Sequence, residues 1–269
     1  MKILVTGHNG FIGQNMVGYL RLQGHDVDGW EYVPNTCPPV DRYDWVVHLG
    51  AISSTTERDV EKVLEQNLEF SARLVSLCDT VGTNFQYASS ASVYGNNLVF
   101  RESAPAFPQS PYAWSKYLFD RFVLQDKFDI IVQGFRYFNV YGPFEDHKGA
   151  QASPVTKFTK QARETGEIQV FQNSEQLMRD FVCVEDVCRV HDMMFNVKES
   201  GIFNVGTGSP RSFREVAEAI ATRENAKIVE VPMPPELISQ YQTYTCADLI
   251  KLNQHIHLDW IDIIDWINR

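Results

Sequence analysis

The sequence has no Cys-x-x-Cys pair: its five cysteines (Cys37, Cys78, Cys183, Cys188, Cys246) are odd in number and scattered, with no histidine at zinc-finger spacing. That excludes a zinc ribbon and argues against a disulfide framework; reduced thiols and no metal site are expected. No apolar run approaches the roughly 18 residues that a membrane-spanning helix needs. Basic charge is scarce as well, with 24 Lys and Arg against 34 Asp and Glu, a formal net charge of -10. An acidic body argues against nucleic acid and anionic membrane as partners, because both need a basic surface. The first residues pass directly into a strand pattern, leaving no room for a signal peptide, so a cytoplasmic protein is expected.

What is there is ordinary globular material. Hydrophobic residues make up 44% and charged residues 22% of the 269, enough for one large domain or two small ones. Short apolar runs at 2–6, 27–32, 45–49, 85–89 and 130–135 read as strands. Between them, 13–22, 60–78 and 111–126 carry helical spacing. Strand alternating with helix predicts an α/β fold, a Rossmann-type doubly wound parallel sheet over residues 1–142. From about residue 143 the pattern changes to longer loops, with strand-like 167–171 and 228–231, helical 213–223 and a terminal helix over 260–267. A mainly substrate-binding lobe over 143–269, sharing some elements with the main sheet, is expected.

The first strand ends in Gly7-His8-Asn9-Gly10-Phe11-Ile12-Gly13, a GxxGxxG run between strand and helix. Glycines there let the main chain approach a pyrophosphate, and the helix N-terminus meets the anion. The strand context raises this above a lone glycine-rich run. The second strand ends at Glu31, 24 residues after Gly7, where an acid accepts hydrogen bonds from an adenosine ribose. No Lys or Arg follows until Arg42. Little is therefore visible to neutralise a 2′-phosphate, which favours NAD over NADP. The bland alternative for Glu31 is a solvated strand-end carboxylate.

Tyr112-Ala113-Trp114-Ser115-Lys116 is a Tyr-x-x-x-Lys pair in a helical pattern. The i, i+4 spacing puts both side chains on one face, so the ammonium is expected to lower the tyrosine pKa and make it a usable base. By itself the pair reads equally as surface residues. Upstream, Ser90 ends a strand where a hydroxyl would meet the reacting group. Glycine cradle, serine-rich strand end and Tyr-x-x-x-Lys in that order are far more specific than any one of them.

These motifs, with Phe135-Arg136-Tyr137-Phe138-Asn139-Val140-Tyr141-Gly142-Pro143, resemble the extended short-chain dehydrogenases, mostly epimerases and dehydratases of sugar nucleotides. Within the family, residues 50–57, His147-Lys148-Gly149, 178–182 and 241–245 are most similar to the branch that epimerises ADP-glycero-manno-heptose at C6. The resemblance implies a pyrophosphate held by Gly7, Gly10, Phe11, Ile12 and Gly13, with Glu31 on the ribose. Leu49, Gly50, Ala51 and Ser53 would line the cofactor, and Asn67 would pin that loop. It implies Ser90, Tyr112, Lys116 and Lys148 as the catalytic set, with Lys148 the second of two acid/base groups. Asn139, Lys157, Ser174, Arg179 and Tyr241 would contact the substrate, Arg179 at a phosphate, where its planar fork suits bidentate binding. A homo-oligomer is also implied.

Three departures stand out. Residues 33–42 are shorter than the family's usual strand and helix there, leaving Asp41 as a remnant acid near the adenine. Ala150 and Lys157 stand where the heptose branch tends to have serine and histidine. The C-terminal lobe is short. A UDP-sugar 4-epimerase, which has no need of Lys148, and a catalytically inert NAD-binding scaffold stay open as alternatives.

Overall fold

The structure, a computed structural model, describes residues 1–235 and 242–269, without the side chain of Ala150. The first half runs β1 (Lys2–Thr6), α1 (Phe11–Leu22), β2 (Asp26–Trp30), β3 (Trp45–His48), α2 (Val60–Leu64) and α3 (Phe70–Val81). It continues with β4 (Asn84–Ser90), α4 (Pro111–Gln125), β5 (Val132–Tyr137) and β6 (Asn139–Tyr141). The remainder contains α5 (Pro154–Thr165), β7 (Glu167–Phe171), β8 (Met178–Arg179), β9 (Phe181–Cys183), α6 (Val184–Met194) and β10 (Gly201–Val205). It ends with β11 (Arg211–Ser212), α7 (Phe213–Glu224), β12 (Lys227–Val231) and α8 (Ile263–Ile267).

The main sheet has six strands in the order β10-β5-β4-β3-β1-β2, and every pairing is parallel. Every residue of β3 and β5 is buried. Helices on both faces demand this, and it is why such strands read as continuous runs instead of alternating ones. Apolar clusters built on Leu4, Phe70, Leu74 and Phe85 on one side, and on Ile3, Met16, Leu20 and Val47 on the other, fill the two interfaces. Chain order reverses between β1 and β3, which opens a crevice at the carboxyl ends of these strands, the usual ligand position in an open parallel sheet.

Residues 31–44, between β2 and β3, form neither strand nor helix, so β2 is the sheet edge. This shortened crossover is anchored by buried Val40, whose carbonyl accepts from Thr83 Oγ1 at 2.8 Å. The element that runs from α2 to α3 is one helical path interrupted by a π-helical turn, Glu65–Glu69, centred on Asn67.

The second half holds more regular structure than the spacing predicts. α5, α6 and β10 are additional, and the expected terminal helix is confined to α8. β10 closes the main sheet against β5, and α6 packs against α1. Apart from these, β7 pairs β12, β6 pairs β9 and β8 pairs β11 in three small two-stranded sheets. They surround a separate core of Phe158, Ile168, Phe181, Val216 and Ile263. α7 begins with a reciprocal cap: Glu215 N–H donates to Ser212 Oγ at 3.0 Å and Ser212 N–H to Glu215 Oε2 at 2.7 Å.

Candidate active site

The glycine turn at the end of β1 is built by close approach. Gly7, at φ +70°, has no room for a side chain, since a Cβ would lie 2.6 Å from the Gly50 backbone. A Cβ at Gly13 would lie 2.0 Å from the Gly7 carbonyl, so α1 is packed directly onto the turn. Gly10 N–H closes that turn on the Gly7 carbonyl at 3.0 Å and α1 begins there, with no acidic residue in its first turn. The positive end of the helix is left for an external anion. Leu49 and Gly50 follow β3 and donate to the Thr6 carbonyl and Oγ1 at 3.1 and 3.3 Å.

Glu31 stands at the lip of this cradle. Its Oε1 accepts from Asn9 N–H at 2.8 Å, so the carboxylate is tied to the glycine turn. His8 Nδ1 lies 3.1 Å from the same oxygen, close but outside hydrogen-bond geometry. His8 fits only because residue 29 is glycine, where a Cβ would fall 2.4 Å from its ring. A turn without room for Cβ atoms, a bare helix N-terminus and a single acid at the strand end fit NAD.

Asn67 joins this cradle to the catalytic helix. Its Oδ1 accepts from Ile52 N–H at 2.8 Å, while Nδ2 donates to the Ile52 carbonyl and to Ser115 Oγ, both at 3.0 Å. Ser115 Oγ in turn donates to the Tyr112 carbonyl at 2.8 Å. Ala51 follows in the pinned loop, with Ser53 exposed two residues on. Behind it, His48 shares hydrogen bonds with Thr6 Oγ1 at 2.7 Å and Ser71 Oγ at 2.9 Å. Burial, with Lys116 nearby, pushes its pKa down to about 3, which keeps it neutral.

Ser90 ends β4, and its Oγ accepts from Ser92 N–H at 3.1 Å. Ser90 lies near enough to the Tyr112 hydroxyl to lower its pKa. α4 carries Tyr112 because Ser110 caps it, accepting from Ala113 N–H at 3.1 Å, with Pro111 in the first turn. The expected lowering of the tyrosine pKa does not appear. Burial raises it, Ser90 pulls it back and Asp120 raises it further. No lowering by Lys116 offsets this; its ammonium donates to the Ala88 carbonyl at 2.8 Å. Lys116 is buried, and that pushes its own pKa down to about 8, offset by Asp120. Four residues further on, Asp120 forms a buried ion pair with Arg136 at 2.8 Å.

The other wall of the crevice comes from the second half. Lys148 lies in a short 3-10 segment, and its Nζ sits 5.2 Å from the centre of the Phe11 ring, in cation–π range. Burial lowers its pKa, and Glu145 opposes this. Lys157 and Ser174 line one cavity of about 280 Å³ together with Gln169, Phe171, Leu177 and Phe213. Burial lowers the Lys157 pKa, and the buried Ser174 hydroxyl has no hydrogen-bond partner among the described residues. Arg179 stacks on Phe213 at 5.5 Å and donates to the Met178 and Gln242 carbonyls. Asn139 is exposed at the start of β6, and Tyr241 lies outside the described residues.

The structure thus groups Gly7, Gly10, Phe11, Gly13, Glu31, Leu49 and Gly50 in one cradle, and brings Ser90 near Tyr112 and Lys148 to Phe11. Lys157, Ser174 and the Phe213 under Arg179 form a separate cavity. Sequence reasoning missed Phe171 and Phe213, whose spacing along the chain gives no sign that they face one space. It also missed His48, described below.

Comparison with known proteins follows the same division. The profile of the NAD dependent epimerase/dehydratase family matches residues 3–206. The chain belongs to this family. The family expected from the motifs and the parallel-sheet fold therefore both hold. Among the relatives, the ADP-L-glycero-D-manno-heptose-6-epimerase of Alkalilimnicola ehrlichii is 38% identical, over 93% of this chain and 90% of its own. The enzyme of the same name from Brachyspira hyodysenteriae is 36% identical over the same shares. Of the solved structures, Helicobacter pylori ADP-L-glycero-D-manno-heptose-6-epimerase superposes with a TM-score of 0.87 at 26% identity, covering 99% of this chain and 94% of that one. Thermus thermophilus UDP-glucose 4-epimerase in complex with NAD gives 0.80 at 27% identity, covering 95% and 93%.

Proposed function

We propose that this family member is a sugar-nucleotide epimerase that inverts a carbinol carbon through a keto intermediate, with ADP-glycero-manno-heptose as substrate and C6 as the inverted centre. The observation that carries this reading is the Lys148 ammonium over the Phe11 ring, which puts a candidate second proton-transfer group beside the glycine cradle. Oxidation and re-reduction on opposite faces need a proton group near each position of the hydroxyl. The identity of 38% and 36% to two heptose epimerases supports the choice of sugar.

Gly7, Gly10, Phe11, Ile12 and Gly13 would hold the NAD pyrophosphate, with Glu31 on the adenosine ribose and Leu49, Gly50, Ala51 and Ser53 along the cofactor. Bound NAD would supply the hydride acceptor and donor. NADP is disfavoured because Glu31 would face its 2′-phosphate. Tyr112 and Lys148 exchange protons with the substrate hydroxyl, Ser90 hydrogen-bonds its oxygen, and Lys116 orients the Tyr112 side of the site. Lys157, Ser174, Arg179, Asn139 and Tyr241 would take the nucleotide and its phosphates. On this assignment residues 1–142 serve the cofactor and 143–269 mainly the substrate.

Among the described residues no helix is long and apolar enough to cross a membrane. A cytoplasmic enzyme and a homo-oligomer complete the reading. Trp114 and Leu118, 48% and 38% exposed and four residues apart on α4, offer an apolar face for a second copy. A monomer in sedimentation would overturn that point.

The test is incubation with ADP-D-glycero-D-manno-heptose and NAD, following the C6 configuration by NMR. The L-glycero epimer is the expected product. Lys157, where the heptose branch tends to have histidine, favours a different nucleotide as the second reading. Conversion of UDP-glucose at C4 with the heptose untouched would establish it. A protein that binds NAD and converts neither sugar would be the inert scaffold.

A further inference from the structure

The glycine cradle and the helix of Tyr112 are linked by a buried path of hydrogen bonds that passes through one imidazole. His48 is the last residue of β3 and 3% exposed, with Phe70 and Phe85 packed on its ring at 5.8 and 5.7 Å between centres. On one side its Nδ1 lies 2.7 Å from Thr6 Oγ1, which accepts from Gly50 N–H at 3.3 Å. On the other its Nε2 lies 2.9 Å from Ser71 Oγ, which donates to the Asn67 carbonyl at 2.8 Å. Asn67 belongs to the π-helical turn, an irregularity frequent at functional positions. From its side chain the path continues through Ser115 Oγ to the Tyr112 carbonyl.

Counting protons fixes the direction of every step. Ser71 has one O–H and gives it to Asn67, so its oxygen must accept from His48 Nε2–H. Burial keeps the ring neutral, and a neutral imidazole carries a single N–H. Nδ1 is therefore bare and accepts the Thr6 hydroxyl, whose oxygen is left for Gly50 N–H. Donation runs one way from Gly50 to the Asn67 carbonyl. It runs the same way from Asn67 Nδ2 through Ser115 to Tyr112. Bonds aligned in this manner polarise one another, and a reversed tautomer would leave Thr6 and Ser71 facing the wrong partners.

We propose that His48, fixed as the Nε2–H tautomer, is a positioning residue that ties the Gly50 loop on the cofactor side to the turn of α4 that carries Tyr112. The inference rests on the assignment of Gly50 to the cofactor and of Tyr112 to proton transfer. His48 touches neither cofactor nor substrate in this role. It sets the loop and the helix at one spacing, so that a cofactor seated in the cradle meets the phenol in register.

The test has a spectroscopic arm and a mutational arm, both on the full-length protein. With ¹⁵N-labelled histidine, the ring identified by its contacts with Phe70 and Phe85 should show a protonated Nε2 and a bare Nδ1, unchanged from pH 6 to 8. An Nδ1–H tautomer or a mixture of the two overturns the proposal. Two substitutions then divide the path. In His48→Gln the amide nitrogen takes the place of Nε2 and keeps the Ser71 bond. In His48→Asn the amide oxygen takes the place of Nδ1 and keeps the Thr6 bond. His48→Gln is expected to weaken NAD by roughly threefold to tenfold in calorimetry, the worth of one hydrogen bond, and His48→Asn to weaken it less. Amide hydrogen exchange over residues 112–116 should show the reverse order, fastest in His48→Asn. Turnover should follow the exchange at α4 and not the affinity. Equal effects of the two substitutions on both readouts, or none on either, overturn the proposal. If neither variant folds, the tautomer of the unsubstituted protein decides. The tautomer, the affinities and the exchange rates need no sugar, so failure to epimerise the heptose with all three as expected counts against the substrate reading alone.

Discussion

The two walls of the crevice handle charge in different ways. The cradle wall uses backbone: a glycine turn and a helix N-terminus, with Glu31 tied to Asn9 N–H. The second half uses side chains, with Lys148 half-buried beside the cradle and Arg179 buried over Phe213 next to the separate Lys157 cavity. Backbone amides cannot titrate, so the cradle keeps its polarity at any pH. Lysine side chains can, and partial burial already lowers the pKa of Lys148. A site that binds a constant anion is well served by the first design. One that must give and take protons needs the second.

The largest effects should come from breaking the side-chain wall while leaving the other intact. Lys148→Met and Tyr112→Phe should each lower epimerisation by about 10²–10⁴. NAD affinity, followed by fluorescence, should fall far less than turnover, since both changes leave the glycine backbone intact although Lys148 lies over Phe11. Full turnover in either variant would sink the assignment of that residue. Comparable in size is the buried pair behind the catalytic helix. Arg136→Ala leaves Asp120 uncompensated and also strips a donor from the Tyr94 hydroxyl. It should cost about 3–5 kcal/mol in denaturant unfolding. A loss below about 1 kcal/mol would mean that Asp120 takes up a proton instead.

The two buried histidines sharpen the contrast through pH. Burial pushes His48 and His191 down to about 3, from the ordinary histidine value of about 6.5. The unfolded chain therefore binds protons there before the folded one does. Their contribution is intact above pH 6.5 and is lost as pH falls toward 3. The slope should be up to about 1.4 kcal/mol per pH unit per histidine. In His191→Gln the acid limb of a stability–pH curve should be shallower, and an unchanged slope would assign acid unfolding to other groups. The smallest effect is expected at Glu31. Glu31→Ala should weaken NAD by roughly tenfold, the worth of one or two charged hydrogen bonds, and weaken NADP less. Equal losses for the two would remove Glu31 from ribose recognition.

Legibility followed the same division. β1, β3, β4 and β5 were readable because burial makes them short, mostly apolar runs, whereas β10 of the same sheet was missed. The cradle was readable because only glycine fits where a Cβ would strike Gly50 or the Gly7 carbonyl. α6 was not, although Val184, Val187, Val190 and Met194 lie on one face. Buried Asp186 and His191 sit among them and dilute the apolar pattern. Their partners are distant: Asp186 accepts from Ile261 N–H at 2.7 Å and His191 meets Gln86 at 2.7 Å. The expectation for Tyr112 failed for a related reason. Helical spacing put Lys116 on the expected face, but burial in the folded chain is the largest influence on the phenol and raises its pKa.

Residue types at local spacing were enough to determine the parallel sheet, the glycine turn after β1, and the helix that carries Tyr112 and Lys116. Each depends on backbone geometry within a few residues, and that geometry restricts which side chains are allowed. The charge states of Tyr112, Lys116, Lys148 and Lys157 were decided only in the folded chain. So was the assembly of the Lys157–Ser174 cavity. Those depend on desolvation and on neighbours such as Glu145, Asp120 and Phe213, and both arise when segments remote in sequence close over one another and exclude water.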